Sequence, residues 1–334
     1  MDRSAMRIGL LTGGGDCAGL NAAIRAAVRA GSSYGDEILG FHHGWRGVVE
    51  NEYAVLTPKD TKGILADGGT ILHTAGFHPE EHGCVAAVMD NVELNRLDAL
   101  IVIGGDGTLG SANHLAQLGL PIVGIAKTID NDVQGTNHCI GFDTAVATCV
   151  EAIDRLQTTG ESHDRLMVVE VMGRTFGWLA VCSGIAGGAD AFCLPEVSTD
   201  FDELAQGIRR RHDSGSTSSV VVVAEGALAG AYLGSHDGSA GSTVSRELAQ
   251  RTGYETRLTV LGHVQRGGPP SASDRLLATR CGVSAVEAVH DGNFATLVSI
   301  CDESANLVPL KVVASGPRPV PEPLLRVARM MSAR

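Results

Sequence analysis

The residue types best suited to chemistry stand in the segment Ala126–Asp132 (AKTIDND), which directly follows a short apolar stretch. Asp130 and Asp132 are two residues apart. After a strand such side chains can point the same way, so one of them could accept a proton. Asp and Asn also build turns through local hydrogen bonds, and the residues alone favour that simpler alternative.

Two glycine-rich turns, Gly13–Asn21 and Gly104–Gly110, each follow an apolar stretch and precede a predicted helix. Bare glycine amides at the positive end of a helix can approach a phosphate closely. The second turn adds Asp106 where phosphates would lie, and Mg²⁺ is the cation that would bridge the two. Glycine clusters are equally often simple tight turns, and Asp106 could merely cap the following helix.

Arginines follow or precede apolar stretches in Ser162–Arg165 and Val171–Arg174. A further dense polar stretch contains Arg257, His263 and Arg266. Such side chains can together form an anion pocket. A lone arginine there is usually a solvated surface charge, but this density of polar groups in an acidic chain favours a local anion site.

The elements that must position these residues repeat one order: apolar strand, glycine turn, amphipathic helix. This order predicts an α/β protein with mainly parallel sheets, in which ligands gather at the carboxyl ends of strands. The length of 334 residues favours two lobes. Loops are predicted at Ser214–Ser219 and Ala227–Ser245. The predicted strands are Arg7–Leu11, Ala99–Ile103, Ile122–Ile125, Leu166–Val171 and Val220–Ala224.

Composition excludes several classes of function. The net charge of -12, without a basic run, argues against nonspecific nucleic-acid binding. The 8 cysteines lack zinc-site spacing and are expected to be free thiols. No secretory signal or apolar run of roughly 20 residues is present, so we expect a cytoplasmic protein without a membrane partner.

Taken in order, the motifs resemble those of the phosphofructokinase family. They are GGDCAGLN, GGDGT, KTIDND, SHDR, VMGR, AEG and TVLGHVQRGG, spread over most of the chain. The resemblance implies the phosphofructokinase fold, with two Rossmann-like three-layer lobes. It implies a nucleotide-binding lobe of residues 1–139 plus 254–300 and a sugar-phosphate-binding lobe of residues 140–253 plus 301–334.

The resemblance also implies which residues catalyse the transfer and which bind the donor. Asp130 would take the proton from the attacking sugar hydroxyl, supported by Thr128 and Asp132. Arg174 would stabilise charge on the transferring phosphoryl group, and Lys127 would belong to the catalytic set. Asp106 would hold Mg²⁺. The positions implied to bind ATP are Gly13, Gly14, Gly15, Gly105, Asp106, Gly107 and Thr108.

On the acceptor side, the resemblance implies that His263 and Arg266 hold the existing phosphate of the sugar. Arg165 and Arg257 would reach in from a neighbouring subunit, so we expect at least a dimer and, as in the family, a homotetramer. The sugar itself would contact Thr128, Asp130, Asp132, Met172, Gly173, Arg174 and Glu225.

Two positions bear on the phosphoryl donor. Family members that resemble ATP users have Gly at the position of Gly107. Pyrophosphate users have an Asp there, which fills the space of the α-phosphate. Lys127 matches pyrophosphate users and also one ATP-using branch. The pair therefore resembles an actinobacterial-type group with mixed features, and ATP is the predicted donor.

The chain departs from the family pattern at Gly76, where the family places an arginine that bridges donor and acceptor phosphates. His73 or Lys127 could partly compensate. Arg25 and Arg29 match half of the bacterial effector site, but Gln157 and the stretch SGSTSS replace its other basic residues. Effector control is therefore not expected.

The predicted function is phosphoryl transfer from ATP to the 1-hydroxyl of fructose 6-phosphate, giving fructose 1,6-bisphosphate, a step of glycolysis. Alternatives are pyrophosphate as donor, another ketose phosphate such as sedoheptulose 7-phosphate as acceptor, or a noncatalytic sugar-phosphate sensor.

Overall fold

A computed structural model describes residues 4–228, 238–301 and 304–332. Its strands are β1 (Arg7–Thr12), β2 (Glu37–Phe41), β3 (Tyr53–Leu56), β4 (Ala99–Gly104), β5 (Ile122–Ala126), β6 (Leu166–Val171), β7 (Ala191–Cys193), β8 (Ser219–Ala224), β9 (Thr256–Val260), β10 (Thr296–Cys301) and β11 (Ser304–Pro309). The chain divides into two compact units, Met1–Thr144 with Arg266–Arg318, and Ala145–Gln265 with Pro319–Arg334.

Helices cover the sheets and connect their strands. They are α1 (Leu20–Tyr34), α2 (Trp45–Glu50), α3 (Val85–Leu94), α4 (Asp106–Gln117), α5 (Phe142–His163), α6 (Trp178–Ala186), α7 (Phe201–Asp213), α8 (Ala240–Thr252), α9 (Ala272–His290) and α10 (Glu322–Met331). Short 3-10 helices span Ile64–Ala66, Gly262–Arg266 and Leu310–Ser315.

The first unit is built on a sheet with the strand order β11-β10-β5-β4-β1-β2-β3. The strands from β2 to β10 in this order run parallel, and β3 and β11 pair antiparallel at the two edges. β4 and β5 are apolar along their whole length because both faces are buried. The carboxyl ends of β1, β4 and β5 therefore lie side by side at one edge of the sheet.

The second unit contains a parallel sheet with the order β7-β8-β6-β9. Its central strands β6 and β8 are completely buried, and α7 and α8 cover the sheet with apolar residues such as Ile208 and Leu248. The predicted α/β fold with two mainly parallel sheets is confirmed, and all strands predicted from the sequence are present.

One loop prediction is wrong in part. The predicted loop Ala227–Ser245 includes residues 229–237, which lie outside the described residues, but α8 begins at Ala240. Ser239 caps this helix by accepting a hydrogen bond from Ser242 N, and Val244 is buried against the sheet. Small residues thus serve helix packing here. The other predicted loop ends one residue early, because Ser219 begins β8.

The unit boundaries in the structure differ from those implied by the family resemblance, which lay after residues 139, 253 and 300. In the structure they follow Thr144, Gln265 and Arg318. The second boundary lies later because β9 pairs with β6 and so belongs to the second sheet. The third lies later because β11 pairs with β10 in the first sheet. The assignment of nucleotide and sugar phosphate to the units stays a prediction.

The described cysteines form no disulfide bonds. Burial raises the pKa of a subset to about 12, so these thiols stay protonated near neutral pH. This subset is Cys17, Cys139, Cys149, Cys193 and Cys281. Among the described residues, no helix combines the length and hydropathy needed to cross a bilayer.

Candidate active site

The first glycine turn lies between β1 and α1 and is held from within the protein. Gly13 N donates to Ile103 O (2.9 Å) and Gly14 N to Ala75 O (3.2 Å). Gly14 has φ 77, and a Cβ at Gly13 would come within 2.6 Å of the Thr108 side chain. Glycine is thus required by the geometry. Because these two amides already have partners, Gly13 and Gly14 contribute space more than donors.

Lys127 fastens this turn to the end of β5. Its side chain is buried, and its ammonium Nζ donates to Gly13 O (2.8 Å) and Gly15 O (2.5 Å). Desolvation by burial lowers the pKa of Lys127. The structure therefore gives this residue a positioning function, and the catalytic role implied for it stays a prediction.

The second glycine turn starts α4 and faces two different neighbours. A Cβ at Gly105 would approach Lys127 O (3.5 Å) and Thr128 Cβ (3.8 Å), whereas a Cβ at Gly107 would meet the imidazole of His78. Asp106 is the first helical residue and Gly105 the N-cap, with no side-chain capping bond. The structure thus places Asp106 one residue after the N-cap position, in the first turn of α4.

Asp106 fits a magnesium site that is shared with phosphates. Its side chain is exposed at the positive end of α4. The described residues contain no group of three His, Cys, Asp or Glu side chains able to hold a metal. Mg²⁺ commonly takes one or two carboxylates and completes its shell with water and substrate phosphates, which is what a single carboxylate here allows.

Asp130 and Asp132 are almost completely buried, at 4% and 5% exposure. Thr128 Oγ1 accepts from Asp130 N (3.1 Å) and lies 3.3 Å from Asp130 Oδ2, to which it donates. Asn131 adopts φ 52, and its Oδ1 accepts from Cys139 N (2.9 Å). Asn131 therefore has the loop-stabilising role that the turn alternative predicted. The same loop carries the two buried carboxylates, Asp130 and Asp132.

The second unit brings Met172, Gly173, Arg174 and Glu225 together after β6 and β8. Glu225 Oε1 accepts from Gly173 N (3.2 Å) and from Arg174 N (2.6 Å). Arg174 has φ 52, a backbone conformation that this carboxylate stabilises. Four predicted sugar contacts, one of which is the predicted catalytic arginine, therefore form one local cluster.

Gln265 supports this cluster and was not singled out from the sequence. It is 1% exposed, its Oε1 accepts from Met172 N (3.2 Å), and its Nε2 donates to Gly262 O (2.9 Å). It thus links the loop after β6 to the 3-10 helix that carries His263. The only sequence signal was its place between His263 and Arg266.

The predicted anion ligands lie in different places. Arg165 and Arg257 both form ion pairs with Glu255 Oε1, at 3.0 Å for Arg165. Arg165 lowers the pKa of that exposed carboxyl. Arg266 belongs to the first unit, where its Nη1 donates to Asp16 O (3.1 Å). His263 belongs to the second unit, so joint phosphate binding by His263 and Arg266 stays a prediction.

The family model described as Phosphofructokinase matches residues 7–289. The chain belongs to the phosphofructokinase family. The predicted enzyme class, a phosphotransferase of the 6-phosphofructokinase type with an alcohol group as acceptor, is confirmed by this membership.

Relatives of this phosphofructokinase chain carry both donor names. "ATP-dependent 6-phosphofructokinase 3" of Streptomyces coelicolor is 47% identical over 331 residues, covering 95% of this chain and 97% of the relative. "Pyrophosphate--fructose 6-phosphate 1-phosphotransferase" of the same organism is 46% identical over 320 residues, covering 91% and 93%. Overall similarity therefore leaves the donor open.

A solved structure supports the fold. Phosphofructokinase of Pichia pastoris in the T-state matches with a TM-score of 0.86 at 37% identity. The match covers 93% of this chain but 36% of the Pichia chain, so the chain spans about a third of that protein.

Gly76, the departure from the phosphofructokinase pattern, lies on an exposed loop. An ideal Cβ there meets no atom within 4 Å. His73, one of the residues considered as compensation, has φ 56, and its ring stacks on His43 at 5.1 Å. Its carbonyl accepts from Thr12 Oγ1 (2.9 Å), so the loop that carries Gly76 runs beside the first glycine turn.

Arg318 is a second supporting residue that the sequence did not reveal. Its Nη2 donates to Asn131 O (2.8 Å) and Asn137 O (3.0 Å), and its N donates to Asp132 O (2.6 Å). It is 187 residues from Asn131 along the chain, so no local motif contains both. The phosphofructokinase loop with Asp130 is thus held from the end of the first unit.

Arg318→Ala is expected to lower kcat by on the order of 10-fold with little change in KM, because the loop that orients Asp130 loses the two side-chain hydrogen bonds to Asn131 O and Asn137 O. Steady-state kinetics measures this. Arg318→Lys, which keeps one donor group, should restore part of the loss, and Lys311→Ala, an exposed cation on the same segment, should leave kcat unchanged. A wild-type kcat in Arg318→Ala would contradict the positioning role.

Proposed function

We propose that this chain transfers the terminal phosphoryl group of ATP to the 1-hydroxyl of fructose 6-phosphate. The observation that carries the proposal is Asp130, a nearly buried carboxylate held by Thr128 at the end of β5. Thr128 lies opposite Gly105 of the turn proposed for the donor phosphates. A base beside a phosphate turn is the arrangement that phosphoryl transfer to an alcohol needs.

In this proposal Asp130 accepts the proton of the sugar hydroxyl, while Thr128 and Asp132 orient the base and the sugar. The oxygen of that hydroxyl forms the new bond to phosphorus as the bond to the leaving group breaks. Arg174 stabilises the charge that spreads over the transferring group. Asp106 would hold Mg²⁺, whose contribution is to neutralise phosphate charge.

The residues proposed to contact the sugar are Met172, Gly173 and Glu225, and those proposed for its existing phosphate are His263 and Arg266. Arg165 and Arg257 would bind the same phosphate from a neighbouring subunit, so a dimer or a homotetramer is the proposed active form. The proposed location is the cytoplasm, and the proposed reaction is a step of glycolysis. Their shared pairing with Glu255 supports a common position for these two arginines.

Pyrophosphate is the second candidate donor. The 46%-identical Streptomyces relative carries that name, and Lys127 matches this group of the family. A different ketose phosphate, such as sedoheptulose 7-phosphate, is the second candidate acceptor, because the open space at Gly76 enlarges the surroundings of the site.

A matrix of donors against acceptors tests the proposal. The purified full chain with Mg²⁺ is assayed with ATP or pyrophosphate and with fructose 6-phosphate or sedoheptulose 7-phosphate, and products are identified by mass spectrometry. Highest kcat/KM with ATP and fructose 6-phosphate is expected. A folded, oligomeric protein that binds these compounds without turnover would be a sensor and would contradict the kinase.

A further inference from the structure

His78 stands over the second glycine turn and is anchored to α4. Its Nδ1 lies 3.1 Å from Ser111 Oγ, and Ser111 Oγ donates to Glu80 Oε1 at 2.8 Å. The single hydroxyl proton of Ser111 has the acceptors Glu80 Oε1 and Gly107 O (3.4 Å), so the hydroxyl oxygen accepts from Nδ1–H of His78. Ser111 is completely buried, so its hydroxyl is shielded from water.

The anchored ring fills the space beside Gly107. A Cβ at Gly107 would lie 2.8 Å from His78 Cε1 and 3.1 Å from Nε2, closer than van der Waals contact allows. The loop on both sides of the ring is also held in place. His82 Nδ1 lies 2.9 Å from His78 O, and the His82 ring stacks on Phe77 at 4.3 Å.

The two ends of the turn differ in what a bound donor would meet. The Gly105 end faces Thr128, which bonds to Asp130, so the phosphoryl group to be transferred belongs at this end. The leaving group then extends toward the Gly107 end, where His78 stands. The leaving group of pyrophosphate is phosphate, whereas the leaving group of ATP is ADP, which needs more room.

We infer that His78 selects the phosphoryl donor, an inference that rests on the proposed function. In the position seen here its ring closes the Gly107 end of the turn. Pyrophosphate fits without displacing the ring, while ATP must break the bond to Ser111 and move the ring aside. His78 therefore lowers the preference for ATP that Gly107 by itself would give.

Kinetics with both donors tests the inference on the full chain. His78→Ala is expected to raise the ratio of kcat/KM for ATP to kcat/KM for pyrophosphate by about 10-fold, the scale of a pocket that gains room for a bulky group. Ser111→Ala, which frees the ring but keeps it, should shift the ratio in the same direction by less. His114→Ala, an exposed histidine on the same helix, should leave the ratio unchanged.

Calorimetry with inorganic pyrophosphate and with a non-hydrolysable ATP analogue gives a second measurement that needs no turnover. The ratio of the two Kd values should shift toward the nucleotide in His78→Ala. An unchanged ratio, or weaker nucleotide binding, in an active enzyme would overturn the inference and leave the proposed function standing. A wild-type chain that turns over neither donor would overturn both.

Discussion

Asp130→Asn is expected to lower kcat by about 10²- to 10⁴-fold, the contribution of a positioned general base. The amide keeps the size of the carboxylate and can still accept from Thr128 Oγ1, which lies 3.3 Å from Asp130 Oδ2. The amide does not accept a proton at neutral pH, so the sugar hydroxyl would have to lose its proton to water. The measurement is kcat with the best donor and acceptor of the matrix.

The matched control for this variant is Asp90→Asn, an exposed aspartate on α3 of the same unit. It should keep the wild-type kcat. Calorimetry should show that Asp130→Asn still binds the sugar phosphate, because the phosphate ligands are proposed to be other residues. A kcat close to that of the wild type in Asp130→Asn would show that another group takes the proton.

Gly76→Arg is expected to raise kcat by about 30- to 1,000-fold, equivalent to the 2–4 kcal/mol that one preorganised stabilising donor contributes. The reason is that the new arginine would restore the positive charge that phosphofructokinases are expected to have at this position. The backbone at this position has room for a side chain to begin, since a Cβ at Gly76 meets no atom within 4 Å. Initial rates at saturating donor and acceptor measure the effect.

Two control variants separate charge from size at this position. Gly76→Ala adds only a methyl group and Gly76→Gln adds length without charge, so neither should reproduce the gain of Gly76→Arg. If Gly76→Arg brings no gain, the site already supplies positive charge in another way. His73→Ala, which removes one of the compensating residues considered from the sequence, should then lower kcat.

The local elements of this protein followed from its sequence. β4 and β5 are continuous apolar runs because both faces are buried, and the glycine turns after β1 and β4 follow from short-range sterics. The contact between Thr128 and Asp130 spans two residues and is contained in one motif. For these features the physical cause and the signal lie within a few residues of each other.

Only the tertiary structure decided the contacts that join distant segments. Arg318 reaches the Asp130 loop across 187 residues, and Lys127 is 114 residues from Gly13, whose carbonyl it holds. His78 meets Gly107 because a loop before α3 folds over α4. Likewise, β9 joins the second sheet through pairing with β6. Such contacts depend on how the whole chain packs, and residue types along a short segment carry no signal of them.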